Sequence, residues 1–326
     1  MRILTAVAAL GAVLAPLVGT AAPAAAEEIK IGLITPPQHV WTRAAQHFAD
    51  RLKEKSGGAL TAAIFPGGQL GNEPEMFQQM QTGLLDMGIM TASITSLREP
   101  SITAWFTPFL FADVGEAVAA TRTPAAGQML DNLKGVGLQG LGYTFAGMRH
   151  ILMRDAPAQS LDDLKGKKIR IVPFPAMKVW WEAAGAVPTP VHLPEIYQSL
   201  QNGLLDGVDI DLDALVGSRF QDVAKGLTVT SHMAFPAIAV YSGARWQTMT
   251  PERRELIRET MAETLEWANT AQIEAERRNL ESLQGALRIE TLADARERFA
   301  RANDAFAAQF GGQPLVKAFR EQAEAR

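Results

Sequence analysis

The hydrophobic pattern between positions 167 and 212 changes its period several times. Apolar residues alternate or form short runs where strands are expected, and they recur at helical spacing between these runs. The predicted elements, in chain order, are a strand at 168–172, a helix at 177–184, an extended segment at 187–193, a helix that begins at Pro194 and a strand at 204–210. The pattern therefore predicts a β-α-β-α-β unit, the doubly wound arrangement that binds ligands at the carboxyl ends of its strands.

The same pattern occurs earlier in the chain. Residues 74–86 (PEMFQQMQTGLLD) align without a gap on residues 194–206 (PEIYQSLQNGLLD). The two segments share the proline, the glutamate, two glutamines, the glycine, both leucines and the aspartate, and residues 30–37 correspond to residues 168–175 in the same way. We interpret this agreement as an internal repeat. It predicts two similar α/β lobes with one cleft between them, an architecture typical of binding proteins.

The rest of the pattern predicts how the lobes are connected. Residues 138–153 should cross from one lobe to the other, and two strands within 226–242 should return, so the crossings form a hinge that permits closing motion. The helical pattern from Pro251 to about Leu283 predicts one long helix across both lobes. Residues 135–140 match G-x-G-x-x-G, but they follow a helix and open a strand, so we interpret them as a helix C-cap and not as a nucleotide loop.

Several segments resemble one known family. They are KIRIVP (168–173), AAGAVPTP (183–190), EIYQSLQNGLLDG (195–207), FPGGQLGNEPEM (65–76) and FTPFLF (106–111). Their sequences and spacing are similar to those of the DctP-type solute-binding proteins of tripartite ATP-independent periplasmic (TRAP) transporters. The resemblance runs from about residue 29 to about residue 267, which is most of the chain.

The resemblance implies an α/β protein with the two-lobe, periplasmic-binding-protein-like (type II) fold, hinge strands and a long C-terminal helix spanning the lobes. The expected divisions are a signal peptide at 1–26, lobe one at 27–145 with part of 227–250 returning to it, lobe two at 146–226, and C-terminal helices at 251–326 that pack across the lobes.

The N-terminus and the composition favour export. Residues 1–26 contain one basic residue, an apolar run and a final AAA, which predicts a signal peptide cleaved after Ala26. An uncleaved membrane anchor is the alternative, disfavoured by two prolines and the small-residue end. The absence of cysteine excludes disulfides, thiolate metal sites and a lipid-modified cysteine, and the net charge of −4 gives no indication of nucleic-acid binding. We expect a periplasmic monomer.

Two arginines are candidates for binding an anion. Arg170 lies in an otherwise apolar strand near the cleft, where a buried guanidinium needs a partner and matches the two oxygens of a carboxylate. In the resembling family, an arginine at this position pairs with the ligand carboxylate, and an arginine at the spacing of Arg149 also faces the site. A structural ion pair, for instance with Asp206 or Asp209, is the alternative for Arg170, and a surface or hinge pair is the alternative for Arg149.

The end of the third strand should also contact the ligand. The candidates there are Asp209, Ile210 and Asp211, with Phe174 after the first strand of the unit. The resembling family commonly has asparagine at the position of Ile210 and a polar residue at that of Phe174, so these departures favour a ligand with an apolar or aromatic body behind its carboxylate. The two acids could bind ligand hydroxyls or a bridging cation, but two carboxylates are weak support for a metal, and we expect no cofactor.

Four further candidates lie in lobe one. Glu73 coincides with a glutamate of the family's pattern and opens the repeat helix, where helix capping is the alternative role. Ser93 follows the strand of the first repeat, and Gln38 and Trp41 lie between the first strand and the first helix.

These observations predict a solute-binding protein that captures a small organic acid and delivers it to membrane permease subunits, without catalysis. One alternative is an exported two-lobe enzyme that uses Asp209, Asp211 and Glu73 as acid and base, which requires turnover. An ABC-type binding protein is another alternative, although the long C-terminal helix and the KIR…PTP…DG pattern favour the TRAP type.

Overall fold

A computed structural model describes residues 27–326, so the predicted signal peptide at 1–26 lies outside the described residues. The described strands form one ten-stranded sheet. Their bounds are β1 Glu27–Gly32, β2 Leu60–Phe65, β3 Met87–Thr91, β4 Leu138–Met153, β5 Lys168–Ile171, β6 Val187–Pro190, β7 Gly207–Asp211, β8 Gly226–Val229, β9 Ala234–Ser242 and β10 Arg288–Thr291.

Helices alternate with these strands along the chain. They are α1 Val40–Lys55, α2 Glu73–Thr82, α3 Ala92–Ser96, α4 Val114–Ala120, α5 Pro124–Asn132, α6 Pro175–Ala183, α7 Ile196–Gln201, α8 Leu212–Gly217, α9 Gly243–Thr248, α10 Pro251–Ser282, α11 Ala295–Arg298, α12 Ala300–Phe310 and α13 Pro314–Glu324. The predicted fold class and the long helix α10 are confirmed. No helix within residues 27–326 is long and apolar enough to cross a bilayer.

The strand order shows two equivalent parallel units. It runs β2-β1-β3-β9-β4-β7-β5-β6, with β8 beside β4 and β10 beside β8. β1 lies parallel to β2 and β3, just as β5 lies parallel to β6 and β7. The antiparallel strands β9 and β4 join the two units. Each unit is therefore the core of one lobe, and a single sheet continues through both.

The internal repeat is confirmed by a shared hydrogen bond. Asp86 Oδ2 accepts from Lys30 N at 2.9 Å, and Asp206 Oδ2 accepts from Lys168 N at 2.8 Å. Each aspartate thus ties the end of its repeat segment to the start of the neighbouring parallel strand.

The predicted strand at 204–210 begins too early, and by the internal repeat the same applies to the equivalent strand expected at 84–90 in lobe one. Gly83 and Gly203 adopt positive φ angles of 76° and 70° where their helices end, which reverses the chain before the strand can start. Leu84 and Leu204 consequently lie in these turns and are 73% and 62% exposed. The strands β3 and β7 begin three residues after these leucines, at Met87 and Gly207.

The C-cap interpretation of the glycine-rich segment 135–140 is confirmed. Gly137 has a φ of 82° and caps a short 3-10 helix at Leu133–Val136, and β4 begins at the next residue.

The long strand β4 passes through both lobes and is held by α10. Its pairing with β9 shifts register between Phe145 and Met148, where the chain leaves the first lobe. The helix contacts this crossing through three hydrogen bonds: Asn269 Nδ2 to Tyr143 O at 3.2 Å, Gln272 Nε2 to Ala146 O at 2.8 Å, and Met148 N to Glu276 Oε1 at 3.2 Å. The chain returns between β8 and β9, so two adjacent segments connect the lobes.

Replacing Gly147 by alanine should destabilise the crossing. Gly147 has a φ of 127°, and a Cβ there would collide with the carboxylate of Glu276. We expect Gly147→Ala to lower the free energy of unfolding by about 1–3 kcal/mol, measured by urea denaturation.

Gly127→Ala is the matched control, because Gly127 is an exposed position of α5 with no heavy atom within 4 Å of an added Cβ. This variant should gain about 0.5–1 kcal/mol of stability from helix propensity. Equal effects of the two substitutions would show that Gly147 is not constrained.

Candidate functional site

A cavity of about 220 Å³ lies between the lobes. Residues that follow or end the parallel strands β1, β3, β5 and β7 line it, as the doubly wound architecture predicts. The polar lining residues are Thr35, His39, Glu73, Thr91, Ser93, Arg149, Arg170, His192 and Asp211. The apolar lining includes Ile34, Trp41, Ile94, Leu97, Val172, Pro173, Leu193, Ile210 and Phe235.

Seven of the ten residues predicted to bind ligand line this cavity, namely Trp41, Glu73, Ser93, Arg149, Arg170, Ile210 and Asp211. The structure therefore brings together residues that lie far apart in the sequence and belong to both lobes. The remaining three, Gln38, Phe174 and Asp209, do not line it.

Arg170 is buried in β5, and the carboxylates of Asp209, Asp211 and Glu73 act on its charge without forming an ion pair with it. Its Nε donates to Val191 O at 2.8 Å, and its Nη1 lies 3.5 Å from Asp209 O. Within residues 27–326 it forms no ion pair with a carboxylate, unlike Arg149. Burial, reinforced by the positive charge of Arg149, lowers the pKa of Arg170 to about 9, so the group remains charged at neutral pH. Its guanidinium can therefore receive an anion from the cavity.

Arg149, in contrast, is engaged by the protein. Its Nε donates to Asp209 Oδ1 at 2.5 Å, its Nη1 donates to Asp211 Oδ2 at 3.0 Å, and its Nη2 donates to Asp209 O. The guanidinium also lies 4.3 Å from the ring centre of Phe235. Arg149 thus lines the cavity, as predicted, but it also forms an ion pair, and this pair is buried and not at the surface.

Asp209 lies behind Arg149 and is fully buried. Besides Arg149, its carboxylate accepts from Trp181 Nε1 at 2.7 Å and lies 3.0 Å from His232 Nε2. Burial alone would raise the pKa of Asp209, but Arg149, His232 and Trp181 offset it, and the pKa lies well below its usual value. An ionised carboxylate with all these partners holds the cavity wall in place and does not contact the cavity.

Asp211 has a double role at the end of β7. It caps α8 by accepting from Ala214 N at 2.7 Å, and it pairs with Arg149. Burial raises the pKa of Asp211, although Arg149 opposes this shift. Within residues 27–326 no cluster of three or more acidic, histidine or cysteine side chains is arranged to hold a metal.

Phe174 and Gln38 are displaced from the cavity by their neighbours. Phe174 packs against Phe106 with 4.8 Å between ring centres, and Pro173 occupies the adjoining position on the wall. Gln38 is exposed, because the next residue, His39, turns inward and accepts from Trp41 N at 3.1 Å to cap α1.

Glu73 is buried and does not cap its helix. The cap of α2 is made by Asn72 and Glu75, which bond to each other's backbone N–H groups. Glu73 instead accepts from Thr91 N at 2.6 Å and from Thr91 Oγ1 at 2.7 Å. Burial raises the pKa of Glu73 to about 7, although the bonds from Thr91 and the charge of Arg170 favour the ionised form.

Sequence reasoning missed several lining residues. His192 follows β6, so the rule that carboxyl ends of parallel strands bind ligands could have identified it. His39 and Thr91 also line the cavity, as the positions of their segments at the ends of strands predict. No sequence pattern identifies Phe235 as a lining residue, because it lies on the returning strand β9, whose neighbours in space are set by the tertiary fold.

Comparisons with known proteins agree with this geometry. Residues 31–311 match the family described as bacterial extracellular solute-binding protein, family 7 (DctP). The chain is 28% identical over 253 residues to the C4-dicarboxylate-binding protein DctB of Bacillus subtilis, which covers 77% of this chain and 72% of the relative. It is 28% identical over 233 residues to the 2,3-diketo-L-gulonate-binding periplasmic protein YiaO of Escherichia coli, which covers 72% and 71%.

A solved structure gives the same result. The crystal structure of a TRAP periplasmic solute-binding protein from Bradyrhizobium, in complex with galacturonate, is similar with a TM-score of 0.87 and 27% sequence identity. The match covers 92% of this chain and all of that chain.

Asp209→Asn should lower the free energy of unfolding. It leaves Arg149 without one of its two carboxylates in a buried site, which typically costs about 3–5 kcal/mol of unfolding free energy. Because the folded-state pKa of Asp209 is depressed, the wild type keeps this contribution at neutral pH and loses it progressively as the pH falls below about 4. Urea denaturation at neutral and acidic pH measures both effects.

The control is Asp131→Asn, which removes an exposed pair with Lys134 and should change the stability by less than about 0.5 kcal/mol. If Asp209→Asn were equally mild, the network would not support the cavity wall.

Proposed function

This chain belongs to family 7 of the bacterial extracellular solute-binding proteins, the receptors of TRAP transporters, and we propose that Arg170 captures the carboxylate of its solute. One observation carries the proposal: a buried, charged guanidinium lines the interlobe cavity without a carboxylate partner within residues 27–326. A ligand carboxylate would supply the missing counter-charge with two parallel hydrogen bonds. The family works with membrane permease subunits, to which the bound acid would be delivered.

Contacts across the cleft support binding by lobe closure. Asp213 in lobe two accepts from Val40 N in lobe one at 2.7 Å, and its Oδ2 lies 3.6 Å from His39 Nδ1. Phe174 of lobe two packs on Phe106 of lobe one on another side of the cleft. A solute enclosed in this way would exchange water for preorganised groups, which favours selective binding.

The lining favours an organic acid with an apolar body. Trp41 and Phe235 stack with 6.1 Å between ring centres, and Ile210 lies where the sequence departs from the family pattern. A second carboxylate on the solute would face the acidic groups of Glu73 and Asp211. These features support a monocarboxylate over a dicarboxylate, whereas the related proteins named above are described with a C4-dicarboxylate or sugar acids.

We infer that the chain does not catalyse a reaction on this acid. The three acids of the enzyme alternative are engaged within the protein: Asp209 and Asp211 pair with Arg149, and Glu73 binds Thr91. Recovery of the bound acid unchanged, by mass spectrometry, would check this. The absence of a cofactor and the monomeric state remain predictions.

Arg170→Met should weaken solute binding strongly while preserving the fold. A thermal-shift screen of wild-type protein against small organic acids should find a carboxylate that raises the Tm by mass action. Losing a charge-assisted contact of about 2–4 kcal/mol would weaken this ligand roughly 30- to 1,000-fold. The ligand-free variant should melt no lower than the wild type, since the substitution removes a buried charge that lacks a protein counter-ion.

Arg154→Met is a matched control, because Arg154 is partly exposed and far from the cavity lining. It should keep the ligand-induced shift. If Arg170→Met responds to acids like the wild type, Arg170 is structural, and if no acid shifts the wild type, the carboxylate proposal is wrong.

Export should remove the first 26 residues. We propose cleavage after Ala26, on the basis of the apolar run and the AAA that precede Glu27. Intact-mass analysis of protein from the periplasmic fraction of a double-membraned host should show a chain that begins at Glu27. A retained leader in the membrane fraction would favour the anchor alternative.

A further inference from the structure

Three cavity residues from lobe one form a continuous chain of short hydrogen bonds. Glu73 Oε2 and Thr91 Oγ1 lie 2.7 Å apart, and Thr91 Oγ1 and Ser93 Oγ also lie 2.7 Å apart. All three are buried and line the cavity. Thr91 N fixes the other carboxyl oxygen by donating to Glu73 Oε1 at 2.6 Å, so any proton on Glu73 belongs on Oε2, which faces the hydroxyl of Thr91.

The hydrogen atoms in this chain have one order when Glu73 is ionised. A carboxylate only accepts, so Thr91 donates its single hydroxyl hydrogen to Glu73. Thr91 Oγ1 then accepts from Ser93 Oγ and from Ile94 N at 3.3 Å. The hydrogen of Ser93 is thereby used within the protein, and Ser93 offers only lone pairs to the cavity. An anion there would meet no donor from Ser93.

The order reverses when Glu73 is protonated. Glu73 Oε2 then donates to Thr91 Oγ1, and Thr91 must donate onward to Ser93 Oγ. The hydroxyl hydrogen of Ser93 is released and can point into the cavity. Every partner in the chain remains satisfied in both states, so the two orders differ only in what Ser93 presents to the ligand.

We propose that Glu73, Thr91 and Ser93 form a proton-controlled polarity switch, through which the solute anion binds together with one proton. The proposal rests on the proposed function, since it takes the ligand to be an anion held by Arg170. Binding leaves the covalent bonds of the solute unchanged. A proton from solvent adds to Glu73 Oε2, the hydroxyl of Thr91 rotates to donate to Ser93, and the hydroxyl of Ser93 rotates to point into the cavity.

The charges around Glu73 couple its protonation to the binding of an anion. Arg170 from β5 faces it and favours its ionised form, and a ligand carboxylate would neutralise this influence. From the other walls, Arg149 is paired with Asp211, while His39 and His192 are the remaining titratable groups of the lining. Burial already raises the pKa of Glu73 to about 7, so an added negative charge in the cavity moves proton uptake into the neutral range.

Calorimetry in buffers of different ionisation enthalpy measures the proton count directly. The probe is the strongest-binding of pyruvate, 4-methyl-2-oxopentanoate, benzoate and D-galacturonate, whose carboxyl groups stay ionised at neutral pH. At about pH 8 the wild type should take up roughly 0.9 proton per ligand, and at about pH 6 only about 0.1, since Glu73 is then protonated before binding. The Kd should rise about tenfold per pH unit above 7.

The variants separate the switch from a simple contact. Glu73→Gln places an amide N–H against Thr91 Oγ1 and so mimics the protonated state: proton uptake and the pH dependence of Kd should both disappear. Ser93→Ala should weaken binding at about pH 6 roughly ten- to a hundredfold, since the released donor is lost. Thr91→Val should uncouple Ser93 from Glu73, whereas Thr91→Ser, which keeps the hydroxyl, should restore wild-type uptake.

Each contrary result has a distinct meaning. Binding without proton uptake by the wild type at about pH 8 would overturn the switch and leave the proposed function intact. Uptake that persists in Glu73→Gln would assign the proton to His39 or His192 and equally overturn it. If none of the four acids binds the wild type at either pH, the proposed function fails, and the switch fails with it.

Discussion

The ion-pair network of Arg149, Asp209 and Asp211 fixes the floor of the cleft, and the other site residues depend on it. Arg149 lies opposite Asp211 in the antiparallel pairing of β4 with β7, so one network joins the strand that crosses between lobes to the strand that ends at the cavity. Trp181 from α6 and His232 from the returning segment complete the shell of Asp209. A buried charge is tolerated only with such partners, so these four elements must keep their relative positions.

This network also explains why the two arginines of the cavity differ. Both are buried, and each repels the charge of the other, yet both available carboxylates of β7 are committed to Arg149. Arg170 is left with two backbone carbonyls, which orient its guanidinium without neutralising it. Arg149 is therefore committed to the structure, whereas Arg170 is the arginine that we propose binds the solute, although both lie in similar apolar stretches of the sequence.

The sequence predicted the architecture well because its signals are local or repeated. The β-α-β-α-β pattern, the duplicated PE…GLLD segment and the long C-terminal helix each follow from spacing along the chain, and the lobes and the cleft follow from them. The predicted starts of the strands were less accurate. Glycines with positive φ hold Leu84 and Leu204 in turns, although leucine at these positions fits the hydrophobic pattern of a strand. The roles of Asp209 and Phe174 depend on which face of an element meets which neighbour, and spacing within one segment does not determine this.

If Arg170 binds the solute as we propose, its charge, which forms no ion pair within residues 27–326, would make closure of the lobes depend on the solute. Without an anion, closing buries a guanidinium at a cost of several kcal/mol, whereas a cross-cleft bond such as that between Asp213 and Val40 contributes about 1–3 kcal/mol. An anion reverses this balance, because its carboxylate replaces the water that Arg170 loses. A ligand can shift a conformational equilibrium only by its differential affinity for the two states, and here that difference is concentrated at one side chain. On this proposal, the property that makes Arg170 unfavourable for stability would also make the closed form indicate that solute is bound.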